Sequence, residues 1–223
     1  MNRESAGKGL PTVETTLHAI REIVSAEDPL WEDWHAIYLA SFPAHERMSS
    51  EFLTRLLAEK AKGEDPGTHI LVMTGDEDTA RAICIGLVDI DLDAATAYLW
   101  YLATQPGARG GGIGARMYHH IRERARLGGA SVLMFEVEIP QVAAARSEED
   151  GEWAARRIAW YRRQGARVLH GIQYFQSVDA SEEVTEMHLM ADLLEPLTPD
   201  EVLAKARKLF ADSMTEVGQF GLD

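Results

Sequence analysis

The chain has 223 residues, 46% of them hydrophobic, so it is long enough to bury a full core as a single domain. Its 22 basic and 36 acidic side chains give a formal charge of −14, which argues against nonspecific binding to nucleic acid or to an anionic membrane. No segment approaches the roughly 20 apolar residues of a membrane span, and the single cysteine is typical of a protein of the reducing cytoplasm.

The first part of the chain predicts a strand, two helices and a meander of further strands. Residues 1–16 lack hydrophobic periodicity, so we expect a flexible N-terminal arm before one domain over residues 17–223. After a strand over 18–25, apolar residues recur at helical spacing from Leu30, and a second helix begins at Ser49. Three strands of the meander are then expected, over residues 69–74, 81–92 and 98–103.

The most informative segment is the strand, turn and helix that follow Tyr98. An apolar run ends at Gln105-Pro-Gly, and glycines at 110, 111, 112 and 114 then precede a helix whose apolar positions recur every four residues from Ile113. Glycine allows positive φ and a close approach of phosphate oxygens to main-chain amides, which are unpaired donors in the first turn of a helix. With Arg109 at its start, the segment predicts a loop that binds a diphosphate.

Two other interpretations of these glycines stay open. Gly110-x-Gly112-x-x-Ala115 also fits the fingerprint of a dinucleotide-binding oxidoreductase, although about a hundred residues precede it, whereas that fingerprint usually opens its domain. A glycine turn without any ligand is the second alternative. The phosphate-binding pattern Gly-x-x-x-x-Gly-Lys-Ser/Thr is absent from the sequence.

The remaining elements are predicted as three strands, a loop and a terminal helix. The strands are expected over residues 131–139, 167–176 and 185–192, and residues 141–151 as a solvated surface loop or a mobile lid. A terminal helix over 200–213 is expected to pack on its own domain or to form a homodimer. The eight histidines show no metal-binding spacing, so we predict no metal site.

Two motifs resemble those of the GNAT superfamily, the acyl-CoA-dependent N-acyltransferases. Arg109-Gly-Gly-Gly-Ile-Gly114 is similar to the superfamily's Arg/Gln-x-x-Gly-x-Gly/Ala, and Tyr161-x-x-x-Gly165 is similar to the end of a later helix in that family. The usual phenylalanine after the second glycine is replaced by Ala166. The resemblance covers roughly residues 17–192.

The resemblance implies an α/β (α+β) fold in which a mixed, mainly antiparallel sheet splays between its fourth and fifth strands and is flanked by helices. It implies acetyl-CoA as cofactor, with the pantetheine arm paired like an added strand to Leu102, Ala103 and Thr104. The residues implied to hold the pyrophosphate are Arg109, Gly110, Gly111, Gly112, Ile113, Gly114 and Ala115. The residues implied to contact the acceptor are Phe42, Glu46, Arg47 and Trp100, although an ordinary proline-containing connection explains the segment around Pro43 equally well.

Acyl transfer to an amine requires a base and an acid. An ammonium with a pKa of about 10.4 is neutral only about once in 2,500 molecules at pH 7, so a group must accept its proton. Glu136, and after it Glu138, are the candidates because they share one face of a strand and a buried carboxylate gains basicity; a structural role facing solvent stays open. Tyr161 is the candidate acid for the leaving sulfur, or else a packing residue.

The function expected from these residues is N-acetyl transfer from acetyl-CoA to a primary amine acceptor, a small molecule or a peptide, by direct attack in a ternary complex. A non-catalytic acyl-CoA-binding sensor on the same fold is the principal alternative, and the oxidoreductase is the other. The acceptor's identity does not follow from the sequence, because side chains that line a pocket come from separate loops.

Overall fold

The computed structural model describes residues 19–64, 67–75, 81–176 and 184–223. The predicted arm over residues 1–16 and most of the connection between the strands predicted over 69–74 and 81–92 lie outside the described residues. No helix of the described part is both long enough and apolar enough to cross a bilayer.

The elements up to the glycine-led helix follow the order expected from the sequence. In chain order they are β1 (Ile20–Ile23), α1 (Trp31–Ser41), α2 (Ser50–Ala61), β2 (Thr68–Thr74), β3 (Ala82–Asp91), β4 (Thr96–Thr104) and α3 (Ile113–Leu127). The second helix begins where predicted because the Ser49 hydroxyl accepts a hydrogen bond from the Phe52 amide and so caps it.

The second half contains more regular structure than the sequence predicts. Its elements are β5 (Val132–Glu138), α4 (Pro140–Ala144), α5 (Glu148–Gln164), β6 (Arg167–Gln176), β7 (Thr185–Leu193), α6 (Pro199–Phe210) and β8 (Met214–Leu222). A reciprocal capping box between Thr198 and Glu201 starts α6, and Gly165, with φ of 106°, ends α5.

The strands form one sheet with the order β1-β2-β3-β4-β5-β7-β6-β8. Among the described strands, β4 and β5 form a parallel pair and every other neighbouring pair is antiparallel. The parallel pairing covers only Thr96–Tyr98 against Val132–Met134, after which the two strands separate. The predicted mixed, mainly antiparallel sheet splayed between strands 4 and 5 is therefore confirmed.

A β-bulge in β4 lies beside this separation. Leu99 pairs with Val88 and Tyr101 pairs with Leu87, so Trp100 is the extra residue on its strand. Trp100 and Tyr101 consequently lie on one face of the sheet, although they are adjacent in sequence, while Leu99 lies on the other. The bulge aims two large aromatic side chains at the same side of the cleft.

Helices cover both faces of the sheet. The apolar sides of α3 and α5, including Met117, Ile121 and Ile158, pack on one face. On the other face, α1 and α2 cover the β1–β4 end, and α6 covers the β5–β7–β6 end with Val202 and Phe210. This arrangement leaves the gap between β4 and β5 lined by side chains from both strands.

The surface loop predicted over residues 141–151 is wrong, because most of the segment is helical, and the alternative of a mobile lid stays a prediction. The segment forms α4 and the start of α5, and Ser147 caps α5 by accepting a hydrogen bond from the Asp150 amide. The acidic run that suggested a solvated loop is the first turn of this helix, where carboxylates interact favourably with the helix dipole. Gly151 permits the two helices to pack, since an added Cβ would lie 2.7 Å from the Ala144 Cβ.

The terminal helix predicted over residues 200–213 ends at Phe210, and the strand β8 follows it. The sequence signal for β8 is weak because the strand is mostly exposed and contains two glycines, which lower strand propensity. β8 pairs with β6, and at the bulge there Gly171 has φ of 79° and lies against the Gln219 main chain.

Gly171→Ala is expected to lower the free energy of unfolding by at least about 2 kcal/mol, because a left-handed backbone and a steric clash act together. The added Cβ would lie 2.3 Å from the Gln219 carbonyl oxygen. Urea unfolding followed by circular dichroism measures the change. Gly218→Ala is the matched control, since its nearest atom is 3.9 Å away, and equal losses for both variants would contradict this account of β8.

Candidate active site

A cavity of about 780 Å³ occupies the gap between β4 and β5. Its wall is built by both strands, by the start of α3 and by one side of α5. The lining residues used below are Phe42, Glu46, Trp100, Thr104, Arg109, Gly110, Gly112, Gly114, Glu136, Trp153, Arg156, Arg157, Trp160, Tyr161, Arg163 and Gln176. Of the fourteen residues named from the sequence for the cofactor or the acceptor, eleven line this cleft and three do not, namely Arg47, Gly111 and Ile113.

The loop formed by Gly110, Gly111 and Gly112, called the glycine loop below, needs glycine for its backbone conformation. Gly110, Gly111 and Gly112 have φ values of 103°, 37° and 75°, all in the left-handed region, whereas no atom lies within 4 Å of a Cβ added at any of them. Gly112 is the N-cap of α3 and offers no side chain to cap it, so the first amides of the helix remain available to an anion.

Gly114 has a different role, because it allows α3 to approach β4. A Cβ added there would lie 3.3 Å from the Thr104 hydroxyl oxygen and 3.7 Å from the Trp160 ring. The same hydroxyl lies 3.4 Å from the Cys84 sulfur, and burial raises the pKa of that thiol to about 11. Cys84 is therefore protonated at neutral pH and is a buried core residue.

The main chain of β4 beyond Tyr98 offers hydrogen-bonding groups to the cleft. The Gln105 amide donates to the Ile83 carbonyl of β3, and along an antiparallel strand alternate residues face the neighbour. The polar groups of Leu102 and Thr104 therefore point away from β3, and the Thr104 carbonyl accepts a bond of 3.5 Å from the Arg109 side chain. Ala103 faces β3.

Four arginines line the same cavity, namely Arg109, Arg156, Arg157 and Arg163. Arg109 and Arg156 lie 6.0 Å and 5.3 Å from the ring centroid of Trp153. Arg156 and Arg157 also pair with glutamates, at 2.7 Å and 3.0 Å. The cleft thus concentrates positive charge in a chain whose formal charge is −14.

Sequence reasoning identified only Arg109 among these four. The other three belong to α5, where positions 153, 156, 157, 160 and 163 repeat at intervals of three or four residues and so share one side of the helix. That alternation of tryptophan and arginine was the available signal.

Glu136 lies on β5, half-buried at the centre of the cleft, and is held by two donors. The Tyr98 hydroxyl donates to one carboxylate oxygen, and the Gln176 side chain donates to the other at 2.8 Å. Burial raises the pKa of Glu136 to about 7, and the nearby charge of Glu46 acts in the same direction. Both donors oppose this rise, because they stabilise the charged form. The carboxyl group therefore exchanges its proton near neutral pH.

Glu138, the second candidate base, has different surroundings. Its carboxylate pairs with Arg146 and, at 3.0 Å, with Arg157, and it does not belong to the lining of the cavity. The sequence placed both glutamates on one face of β5, but only Glu136 lies in the cleft.

Tyr161 lies on α5 with its ring 8% exposed. The ring packs 4.3 Å from Phe135 and 5.5 Å from Tyr118, measured between centroids. Among the described residues the hydroxyl has no hydrogen-bond partner, and burial raises the pKa of Tyr161 to about 12. The hydroxyl is thus a protonated donor facing the cavity.

The connection between α1 and α2 is fixed to the cleft by Tyr101. The Tyr101 hydroxyl donates to the Glu46 carbonyl at 2.8 Å and accepts from the Met48 amide at 3.0 Å. Phe42 packs edge-on against the same ring at 4.8 Å. Phe42 and Glu46 line the cavity together with Trp100, but Arg47 does not. Among the described residues, no group of three His, Cys, Asp or Glu side chains is arranged to hold a metal ion.

Comparison with known proteins gives one match to a family and several to individual proteins. Residues 31–147 match the model of the Acetyltransferase (GNAT) family. Over 80 residues the chain is 35% identical to the IAA acetyltransferase of Azospirillum brasilense, a match that spans 36% of this chain and 44% of that protein, less than half of its length.

Solved structures share the fold. A protein assigned to the GNAT acetyltransferases of Bacteroides thetaiotaomicron superposes with a TM-score of 0.65 and 23% identity, covering 86% of this chain and 94% of that one. A GNAT acetyltransferase of Elizabethkingia anophelis, solved with acetyl-CoA bound, has a TM-score of 0.52 and 14% identity, covering 79% and 97%. At these identities the likeness concerns the fold alone.

The raised pKa of Glu136 predicts how this side chain affects stability. The pKa is about 7 in the folded chain against the ordinary 4.5, so its contribution to stability falls as the pH rises from about 4.5 to about 7. As the pH rises from 5 to 8, we expect the free energy of unfolding of Glu136→Gln to increase relative to that of the unaltered chain, as measured by urea unfolding. A ¹³C carboxyl titration, assigned by the signal that the variant lacks, should show a midpoint near 7; a midpoint near 4.5 would contradict the prediction.

Proposed function

The chain belongs to the GNAT family of acetyltransferases, and on that premise we propose that it transfers an acetyl group from acetyl-CoA to a primary amine, with both substrates bound at once. The observation that carries this proposal is the position of Glu136, a carboxyl group with a pKa of about 7, in the same cavity as the glycine loop and the Tyr161 hydroxyl. An anion site, a base and an acid thus share one cleft.

The residues of the cleft suit coenzyme A. The diphosphate would be held by the glycine loop, by the amides at the start of α3 from Ile113 to Ala115, and by Arg109. Arg156 and Arg163, which also line the cavity, supply further positive charge for its phosphates. The main-chain groups of Leu102 and Thr104 that point away from β3 would pair with the amides of the pantetheine arm, as an added strand does.

Glu136 would serve as the general base. An amine with a pKa of about 10.4 arrives protonated, and a carboxylate whose pKa is about 7 accepts a proton far more readily than one near 4.3. One proton of the ammonium first passes to the Glu136 carboxylate, directly or through one water molecule, which frees the lone pair that forms the C–N bond. The second proton that the nitrogen loses as the amide forms is released to solvent. Gln176 and Tyr98 hold the carboxylate in place through this step.

Negative charge also develops on the carbonyl oxygen and on the leaving sulfur, and we assign its stabilisation to the main chain of β4 and to Tyr161. Acetyl-CoA supplies the thioester carbonyl and the sulfur leaving group. The main-chain N–H of Leu102 or Thr104 would donate to the carbonyl oxygen as it gains negative charge. As the C–S bond breaks, the Tyr161 hydroxyl gives its proton to the sulfur, and the phenolate regains a proton from solvent.

The acceptor side of the cleft is assigned to Phe42, Glu46 and Trp100. The Glu46 carboxylate favours an approaching ammonium, and the two rings exclude water from it. Arg47, which belongs to the same connection without lining the cavity, is proposed to act on the acceptor only at its entry, through its charge.

Replacing the base should change the rate and the pH profile together. Glu136→Gln is expected to lower kcat about 100-fold and to remove the rise in activity with pH near 7, because glutamine cannot accept the proton. Tyr161→Phe should lower kcat with little change in KM, since the hydroxyl acts on the leaving group. Thiol release from acetyl-CoA with a panel of amines measures both. Coenzyme A binding without transfer to any amine would favour the sensor instead.

Reversing one charge at the loop should weaken coenzyme A binding. Arg109→Glu is expected to raise the Kd at least tenfold, because a charge-assisted contact worth about 1.5–3 kcal/mol is replaced by repulsion. Arg167→Glu is the control, since this exposed arginine does not line the cavity and its substitution changes the net charge equally. Isothermal titration calorimetry gives both constants, and equal losses would indicate a general effect of charge rather than a contact.

A further inference from the structure

A second cavity of about 300 Å³ opens from the far side of the candidate base. It shares Trp100, Glu136 and Gln176 with the main cavity, so the two meet at the carboxyl group. Its other lining residues are Tyr98, Tyr174, Lys208, Leu209, Phe210, Ala211, Asp212 and Ser213. The function proposed above does not use this space.

Four aromatic rings form the inner wall of this second cavity. The centroids of Tyr98 and Trp100 lie 4.3 Å apart, and Phe210 lies 5.4 Å from Tyr98 and 5.2 Å from Tyr174, all packed edge to face. Tyr98, Tyr174 and Phe210 are each 6–7% exposed, so the rings offer a limited apolar surface at fixed positions, which suits one small apolar group. A volume of about 300 Å³ is at the lower end for small-molecule pockets, which run from about 300 to 1,000 Å³.

The two cavities differ in charge. Arginine side chains line the main cavity, whereas none of them lines the second. At the outer rim Lys208 and Asp212 carry opposite charges, so the rim has no net charge that would select a second ammonium or a carboxylate on the ligand. Among the described residues that line the second cavity, the other carboxyl group besides Asp212 is Glu136. It lies at the junction of the two cavities.

The outer wall comes from the end of α6 and the turn into β8, residues 208–213. This wall lies beyond residue 147, where the family match ends, and also beyond residue 192, to which the resemblance of the sequence motifs extends. The wall therefore lies outside the framework that the family shares. Selectivity for one acceptor is expected in such a feature rather than in the shared framework.

From this geometry we propose that the second cavity is the acceptor subsite, and that it takes a primary amine carried on one neutral, apolar stem about the size of a single ring. The proposal rests on the proposed function for the reaction at the nitrogen. The amine nitrogen lies at Glu136, and the stem extends along the wall formed by Tyr98, Trp100 and Phe210 towards Ser213.

The test compares three primary amines that differ in what the amino group carries. For 2-phenylethylamine we expect a KM at least tenfold below that of ethylamine, which has no ring to bury, and below that of spermidine, whose further ammonium groups would lose water among the rings. A chain that prefers spermidine, or that does not distinguish the first two amines, would overturn the proposal while leaving acetyl transfer itself intact.

A matched pair of variants tests whether the apolar stem of the amine occupies the second cavity. Ser213→Phe fills the cavity, and it disturbs little else because the hydrogen bonds of Ser213 with Phe175 and Phe210 use main-chain atoms. It should raise the KM for 2-phenylethylamine at least tenfold and leave the KM values for ethylamine and acetyl-CoA within twofold, which also shows that the variant is folded. Thr215→Phe, exposed and outside both cavities, should match the unaltered chain. Equal changes for both amines would overturn the assignment.

Binding separates this proposal from the proposed function. If no amine is acetylated, calorimetry of 2-phenylethylamine with the coenzyme A-loaded chain still decides the subsite. Binding that Ser213→Phe abolishes and Thr215→Phe preserves would support the pocket although the acetyltransferase assignment fails. No heat with the unaltered chain would overturn the subsite as well.

Discussion

The separation of β4 from β5 after three paired residues is the constraint on which the rest of the structure depends. Beyond Tyr98 and Met134 each strand keeps its other neighbour, so β4 stays paired with β3 and β5 with β7. The sheet therefore remains continuous while its interior opens, and main-chain groups that would otherwise pair with each other face a cleft. Because the gap lies between two rigid strands rather than between loops, Glu136 on one edge and the main chain of β4 on the other are held at fixed positions.

The same burial that forms the cleft also sets its chemistry. Removing Glu136 from water raises its pKa to about 7, and removing Tyr161 from water raises its pKa to about 12, so one environment gives a group that accepts a proton and a group that retains one. The hydrogen bonds from Tyr98 and Gln176 limit the first effect. Without these donors the carboxyl group would favour its neutral form still further and would be a poorer proton acceptor at pH 7.

The sequence predicted those features that local residue patterns determine. Three glycines with positive φ, the Ser49 cap and the period of α3 each act over a few residues, and the mixed sheet with its split is confirmed. What the sequence missed depends on distant partners. Glu138 lies outside the lining of the cavity and pairs with Arg146 and Arg157, which are distant in sequence. The strand β8 is stabilised by its contact with β6 rather than by its own composition. The arginines of α5 line the cavity only because that helix packs beside the glycine loop, a contact that the sequence alone does not reveal.

The distribution of charge links the cleft to the chain as a whole. A formal charge of −14 repels an anion such as coenzyme A at long range, and screening limits this repulsion beyond about 8 Å at physiological salt. The arginines around the glycine loop therefore have to act at short range, where contact with phosphate overcomes the general field. The same negative field attracts an ammonium, and the acceptor side, with Glu46 and Glu136, continues that attraction down to the junction of the two cavities. In the proposed function, an anionic cofactor at the glycine loop and an ammonium acceptor would therefore enter the cleft without competing for the same contacts.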